Sequence, residues 1–186
     1  MAFLPFDPQQ LSATDRALYE DLVAKRRRHG AAFDGPYAAL MNHPPLCARI
    51  EDLGFFLKFN GCLPRDVYQF TVLAVARHTR AEFEWADHIE PARAAGLPEA
   101  VIGTLKTQGV LDGSFPAPYG LPARILAATL FWKNVPGDVQ RAAITAYGME
   151  GFVELVVLSG FYQMFSVINQ GFDVQPIESG KPPPPR

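Results

Sequence analysis

Leu63-Pro64-Arg65-Asp66-Val67-Tyr68-Gln69-Phe70-Thr71-Val72-Leu73-Ala74-Val75-Ala76-Arg77, followed after a short break by Glu82-Phe83-Glu84-Trp85-Ala86-Asp87-His88-Ile89-Glu90-Pro91-Ala92-Arg93-Ala94-Ala95-Gly96-Leu97, decides the fold. Pro64 suits the first turn of a helix, where its missing N–H would be unpaired anyway. Val67, Phe70, Leu73, Ala74 and Ala76 then recur at three- and four-residue spacing, which predicts a helix to about His78 with one packing face. A second helix is expected from Ala81 to Ala95, closed by Gly96. Pro91 lies inside it and cannot donate to the Asp87 carbonyl, so a kink is expected there.

The pattern of turn signals and apolar periodicity extends in both directions. Ser12 or Thr14 can cap a helix over about 14–29, which Gly30 ends. Gly35-Pro36 opens a short helix over Tyr37 to Asn42, and Pro44-Pro45 opens one running to about Asn60. Pro98-Glu99 begins a helix to about Gln108. The Gly- and Pro-rich stretch from Gly109 to Gly120 predicts a loop, a hinge between two helical halves. Helices are expected over Leu121 to Lys133, Asp138 to Tyr147, and Gly151 to Gln170. The last is rich in Val, a strand former, but lacks the alternation of a strand and would have no strand to pair with. The fold class expected is all-α, a single domain of eight or nine helices spanning 13–175. An extended arm over 1–12 precedes it, and a disordered or polyproline II Pro-rich tail over 176–186 follows.

The chain has 186 residues with 17 Lys+Arg against 19 Asp+Glu, enough length for one full core and too little basic excess for nucleic acid as a partner. Lys25-Arg26-Arg27-Arg28-His29 is read as a solvated helix end, where cations complement the negative end of the dipole. Charged residues at 19% fall below the usual ~25%, which implies hidden surface in an apolar pocket or the interface of a homo-oligomer. Cys47 and Cys62 form no C-x-x-C pair and no disulfide framework, and the N-terminus lacks the pattern of a signal peptide. Leu155 to Phe172 is uncharged but interrupted by Ser159, Gly160, Gln163, Ser166, Asn169 and Gln170, so a helix buried in protein is expected rather than a membrane span. The chain is expected to be cytoplasmic.

Glu84 and His88 carry the clearest chemistry. Four residues apart on a helix, they project about 40° from one another on one face. A carboxylate beside an imidazole fixes its tautomer, and the pair can transfer a proton near neutral pH. Trp85 is placed to cover them and lower the local dielectric. Such pairs also stabilise ordinary helix surfaces. The stretch is not H-E-x-x-H, and His29, His43, His78 and His88 have no metal-ligand spacing, so no metal and no cofactor is expected. Arg77 lies two turns beyond Gln69 on one helix, where both could face a ligand and Arg77 could grip a carboxylate; an ion pair with Glu82 or Glu84 is the alternative. Shifting the chain by 85 residues lays Gln69 on Glu154, Arg77 on Tyr162 and Glu84 on Asn169, a faint internal echo that adds Glu154 and Tyr162 to the candidate ligand-binding residues.

The two quoted helices, together with Gly35-Pro36-Tyr37-Ala38-Ala39-Leu40-Met41-Asn42-His43-Pro44 and Gly151-Phe152-Val153-Glu154-Leu155-Val156, resemble the carboxymuconolactone decarboxylase family, which includes the alkylhydroperoxidase D-like proteins. The resemblance covers most of 35–175. It implies an all-α fold assembled as trimers or hexamers, with pockets between helices and near subunit contacts, and makes Tyr37 and His43 candidate pocket linings. The peroxidase branch of that family carries Glu-x11-Cys-x2-Cys-x3-His. His88 matches the histidine, whereas Ala81 and Glu84 stand at the cysteine positions and Gln69 at the glutamate.

Without those thiols a disulfide-relay peroxidase has no nucleophile. Cys47 and Cys62 are read as small buried residues. Two functions follow. One is a cofactor-independent decarboxylase-like enzyme acting through Glu84 and His88 on a small lactone or carboxylated ring. The other is a non-catalytic, ligand-binding helical oligomer. The enzyme requires Glu84 and His88 at the wall of a closed apolar pocket; the second reading leaves them exposed or salt-bridged to other helices.

Overall fold

Ten consecutive residues, Val67–Ala76, are buried in the helix Arg65–Thr79, so this helix presents no solvated face at its centre. A helix apolar on all sides must be enclosed by others, and the remaining helices supply that enclosure. In the computed structural model, which describes residues 6–174, they are α1 (Ala13–Arg28), α2 (Pro36–Leu40), α3 (Pro44–Phe55), α4 (Arg65–Thr79), α5 (Glu82–Ala94), α6 (Glu99–Asp112), α7 (Gly120–Thr129) and α8 (Gly137–Gly171). A 3-10 turn, Pro8–Gln10, precedes α1, and a π-helical turn, Phe56–Asn60, extends α3. The described residues contain no strand. The all-α class is thus what the sequence predicts. The tail over 176–186 and the first five residues of the arm lie outside the described residues.

Helix α4 packs on α5, α6, α7 and α8, and α8 also lies along α7. The core they enclose includes Tyr68, Phe70, Leu73, Leu105, Ile125, Leu126, Leu155 and Leu158, all nearly inaccessible to solvent. Each start obeys local chemistry. The Ser12 hydroxyl accepts the Asp15 amide at the head of α1, and prolines stand in the first turn of α2 and α3. Helix α4 ends where Arg80 turns left-handed, at φ 57°, and starts the sharp reversal into α5.

The breaks inside two of these elements fall where the sequence expects them. Asp138 to Tyr147 and Gly151 to Gln170 are two helical segments of α8, separated by a kink at Gly148, which takes the non-helical φ 75° and ψ 171°. In α6 the helix from Glu99 likewise breaks at Gly109, at φ 71° and ψ -171°, next to the end expected near Gln108, and a short helical segment to Asp112 follows the kink. A single glycine in such a conformation interrupts the helical ladder without a loop. Helix α5 continues through Pro91. Helix α8 is also long and apolar enough to cross a membrane by length and composition alone; its inner face, with Leu155, Leu158, Phe161 and Phe165, is packed into the core.

Gly35 fixes the approach of α2 to α5. It takes φ 54°, and a Cβ on it would lie 2.1 Å from the Phe83 ring, so only glycine fits. That contact brings Asp34 and Tyr37 against the first turns of α5, where Glu84 and His88 emerge.

Candidate active site

Glu84 and His88 are both 3% exposed and line one small cavity of about 40 Å³ among α1, α3, α5 and α8. Both are buried at a cavity wall, but the lining, with Arg26, Asp34, Lys58 and Asp87, is charged rather than apolar. Glu84 Oε1 accepts a hydrogen bond of 2.8 Å from the Asn169 side-chain amide, across from α8. Burial pushes the Glu84 carboxyl up to about 7; Asp87 adds to the rise, while the Asn169 bond, Lys58 and Arg26 hold it back. Near neutral pH it is therefore poised between acid and base.

His88 is held at both ring nitrogens. Nδ1 lies 2.8 Å from Gln69 Oε1, and because that oxygen can only accept, Nδ1 carries the proton. Nε2 then accepts from the Tyr162 hydroxyl at 3.2 Å, and Tyr162 in turn lies 2.6 Å from the Tyr68 hydroxyl. Two phenols, the imidazole and the Gln69 carbonyl thus form one directional chain, Tyr68 to Tyr162 to His88 to Gln69. Burial raises both tyrosine pKa values and keeps these phenols protonated. Glu84 Oε2 stands 3.7 Å from His88 Nε2, too far for a hydrogen bond but close enough for the carboxylate and the imidazole to influence each other's protonation.

Five aromatic rings, Tyr37, Phe83, Phe161, Tyr162 and Phe165, line the cavity. Gly54 completes the wall, since a Cβ there would lie 2.5 Å from the Tyr37 hydroxyl and 2.7 Å from Phe161 Cζ. The charged lining comes from Arg26, Asp34, Lys58 and Asp87. The Arg26 guanidinium lies over the Tyr37 ring at 4.3 Å and its Nε donates to the Ala32 carbonyl. Behind it, buried Glu51 stands 3.8 Å away and accepts from Lys25 at 3.0 Å. Burial lowers the Lys58 pKa, and Asp87 opposes that shift; burial and Asp87 both raise Asp34.

The structure redistributes the other expected site residues. Gln69, Tyr37 and Tyr162 join the pair, Gln69 from behind His88. Arg77 does not: its Nε donates to the Lys106 carbonyl at 2.9 Å, on the side of α4 that faces α6. Glu154 accepts the Cys62 and Leu63 amides at 2.8 and 3.3 Å and so pins the loop entering α4, away from the cavity. Of the three positions linked by the internal echo, Tyr162 and Asn169 reach the site and Glu154 does not. Trp85 is buried in the core but does not line the cavity, whose cover comes from Phe83 and α8. His43 is exposed and caps α3.

The basic run is not wholly solvated either, since Arg26 is 7% exposed and Lys25 is paired with Glu51 and Asp52. Cys47 is buried, with its thiol pushed up to about 12 by desolvation, whereas Cys62 is exposed. Among the described residues no three His, Cys, Asp or Glu side chains are placed to hold a metal ion.

Comparison with protein-family models, curated proteins and solved structures finds no match for this chain. What the site can do therefore rests on its own chemistry. A buried carboxyl group near 7, beside an imidazole of fixed tautomer, can give a proton to a substrate atom or take one from it.

Sequence reasoning missed Arg26, Lys58, Asp34 and Tyr68. Tyr68 stands beside Gln69 in the decisive stretch, and its partner Tyr162 lies 94 residues away.

Proposed function

We propose that this chamber is the active site of a cofactor-independent, carboxymuconolactone decarboxylase-like enzyme that transfers a proton on a small lactone or carboxylated ring substrate. The observation that carries the reading is the buried Glu84 carboxyl, held near 7 and set beside His88 in an aromatic-walled cavity. Desolvation favours loss of carbon dioxide, because a carboxylate carries a concentrated charge that the transition state disperses. As the carbon–carbon bond breaks, its electron pair passes into the adjoining unsaturated system. Glu84, as the acid, then protonates the carbon. His88 fixes the polarity of the site through its Nε2, and Arg26 supplies positive charge for the substrate's carboxylate.

The exposed apolar side chains Leu53, Phe56, Met149, Val153 and Val157 line one surface groove, which supports assembly as a homo-oligomer. Light scattering at micromolar concentration should show no folded monomer of 20.5 kDa.

A screen of unsaturated lactone acids and ring carboxylates for release of carbon dioxide tests the catalytic reading. With a substrate in hand, Glu84→Gln should lower turnover by about 100-fold or more. Wild-type turnover with an unchanged pH profile in that variant would overturn it.

A further inference from the structure

Lys58 lines the chamber with Asp34, Glu84 and Asp87, but among the described residues no carboxylate closes an ion pair with its ammonium. It lies in the π-helical turn Phe56–Asn60, and a π turn inserts an extra residue into a helix and re-aims the side chains that follow. In this turn Leu57 is buried, Phe56 faces outward, and Lys58 points into the chamber. Other buried charges of this region have partners: Arg26 has the Ala32 carbonyl, Glu51 has Lys25, and Glu84 has Asn169. The Lys58 ammonium makes no hydrogen bond or ion pair among the described residues, and its only specific contact is the Phe59 ring at 5.8 Å. A half-buried amine that shares its cavity with Asp34, Glu84 and Asp87 but is locked in an ion pair with none of them, beside a proton donor and aromatic walls, is placed to act as a nucleophile.

We propose that Lys58 is the nucleophilic amine of this chamber and that the substrate is a small 3-oxo acid, open-chain or ring, whose ketone carbon Lys58 attacks to form a protonated imine. This deepens the proton-transfer reading and rests on Glu84 as the proton donor. The Lys58 Nζ lone pair forms the C–N bond while the ketone oxygen takes a proton from Glu84. Glu84 recovers a proton from the nitrogen and passes it to the new hydroxyl, which leaves as water. The cationic imine then accepts the electron pair of the breaking carbon–carbon bond as carbon dioxide departs. Glu84, reprotonated from water, protonates the enamine carbon, and one water hydrolyses the imine to free the ketone and the amine. The sum is 3-oxo acid plus one proton giving ketone plus carbon dioxide.

The surroundings favour the neutral amine that this attack needs. Burial lowers the Lys58 pKa, and the neighbouring Arg26 and Arg65 cations lower it further, against the opposing pull of Asp87 and Glu84. Asp34 is the remaining charged group lining the cavity.

Trapping tests this directly. The full-length protein is incubated with acetoacetate and cyanoborohydride at pH 7, digested, and mapped by mass spectrometry. Of the five lysines, Lys25, Lys58, Lys106, Lys133 and Lys181, Lys58 should carry at least about tenfold more reduced adduct than any other. Lys58→Arg, which keeps the charge but cannot form an imine, should abolish that excess. Equal labelling of all five lysines, or an adduct map unchanged in Lys58→Arg, would overturn the proposal. The wild-type map requires no variant, so it stands even if Lys58→Arg folds poorly. Failure of the imine is separable from failure of the proton-transfer reading. An unlabelled Lys58 alongside a Glu84→Gln variant that cannot turn over a lactone acid removes the imine alone. A labelled Lys58 alongside a fully active Glu84→Gln removes Glu84 as the donor and, with it, the imine sequence that depends on its proton.

Discussion

Replacing Glu84 by Gln should make the protein more stable, and only at higher pH. Glu84 is buried, and its pKa rises from an ordinary 4.5 to about 7, chiefly because burial penalises the charged form. Between those two values the folded state binds the proton more tightly than the unfolded state. The stability Glu84 contributes as an acid is therefore complete below 4.5 and is lost as the pH rises through 7. The shift corresponds to about 3 kcal/mol. Gln keeps the shape and still accepts the Asn169 hydrogen bond, but never ionises, so the variant escapes this loss. Wild type and variant should be nearly equal at pH 4.5. By pH 9 the variant should be more stable by up to about 3 kcal/mol, or roughly 6–12 °C in Tm for a chain of this size. Thermal melts followed by circular dichroism across that range, read as the difference between the two proteins, cancel the titration of other groups. A difference that stays constant from pH 4.5 to 9 would refute the buried, protonated Glu84.

Three further outcomes probe the neighbouring parts. Tyr162→Phe removes the hydroxyl shared by His88 Nε2 and Tyr68, leaving two buried polar atoms without that partner; denaturant unfolding should show a loss of about 1–3 kcal/mol. Gly54→Ala puts a methyl group where the Tyr37 hydroxyl and Phe161 ring now meet, so it should cost about 1–3 kcal/mol and weaken ligand binding in the chamber, measured by calorimetry. Replacing both Cys47 and Cys62 by Ser should leave turnover largely intact. Thiol-dependent hydroperoxide reduction that vanished in the double variant would count against proton chemistry.

The helical class and the pairing of Glu84 with His88 are legible because both depend on short-range spacing. Val67, Phe70 and Leu73 announce α4 within one stretch, and four residues on α5 suffice to align a carboxylate with an imidazole. Arg77 misleads for the opposite reason. Its place on α4 relative to Gln69 says nothing about which neighbouring helix faces it, and α6 claims its guanidinium through the Lys106 carbonyl. Arg26 looks like part of a solvated cationic end because its partner, Glu51, is 25 residues away, and the contact exists only once α1 packs on α3. Lys58 leaves no trace in the periodicity, since a π turn and an α-turn have the same composition and differ only in one hydrogen-bond step. Trp85 adjoins Glu84 in sequence, yet adjacent helical residues point about 100° apart, so the core takes the indole and Phe83 takes the cavity wall.

The most direct measurement is the protonation of Glu84 itself. Carbon-13 NMR of protein labelled at the glutamate side-chain carboxyl, with the Glu84 signal assigned by its disappearance in Glu84→Gln, follows the group through a pH titration. A midpoint near 7 is the expected result. A midpoint near the ordinary 4.5 would mean that Glu84 is ionised at neutral pH, leaving the chamber without its proton donor and contradicting the proton-transfer assignment.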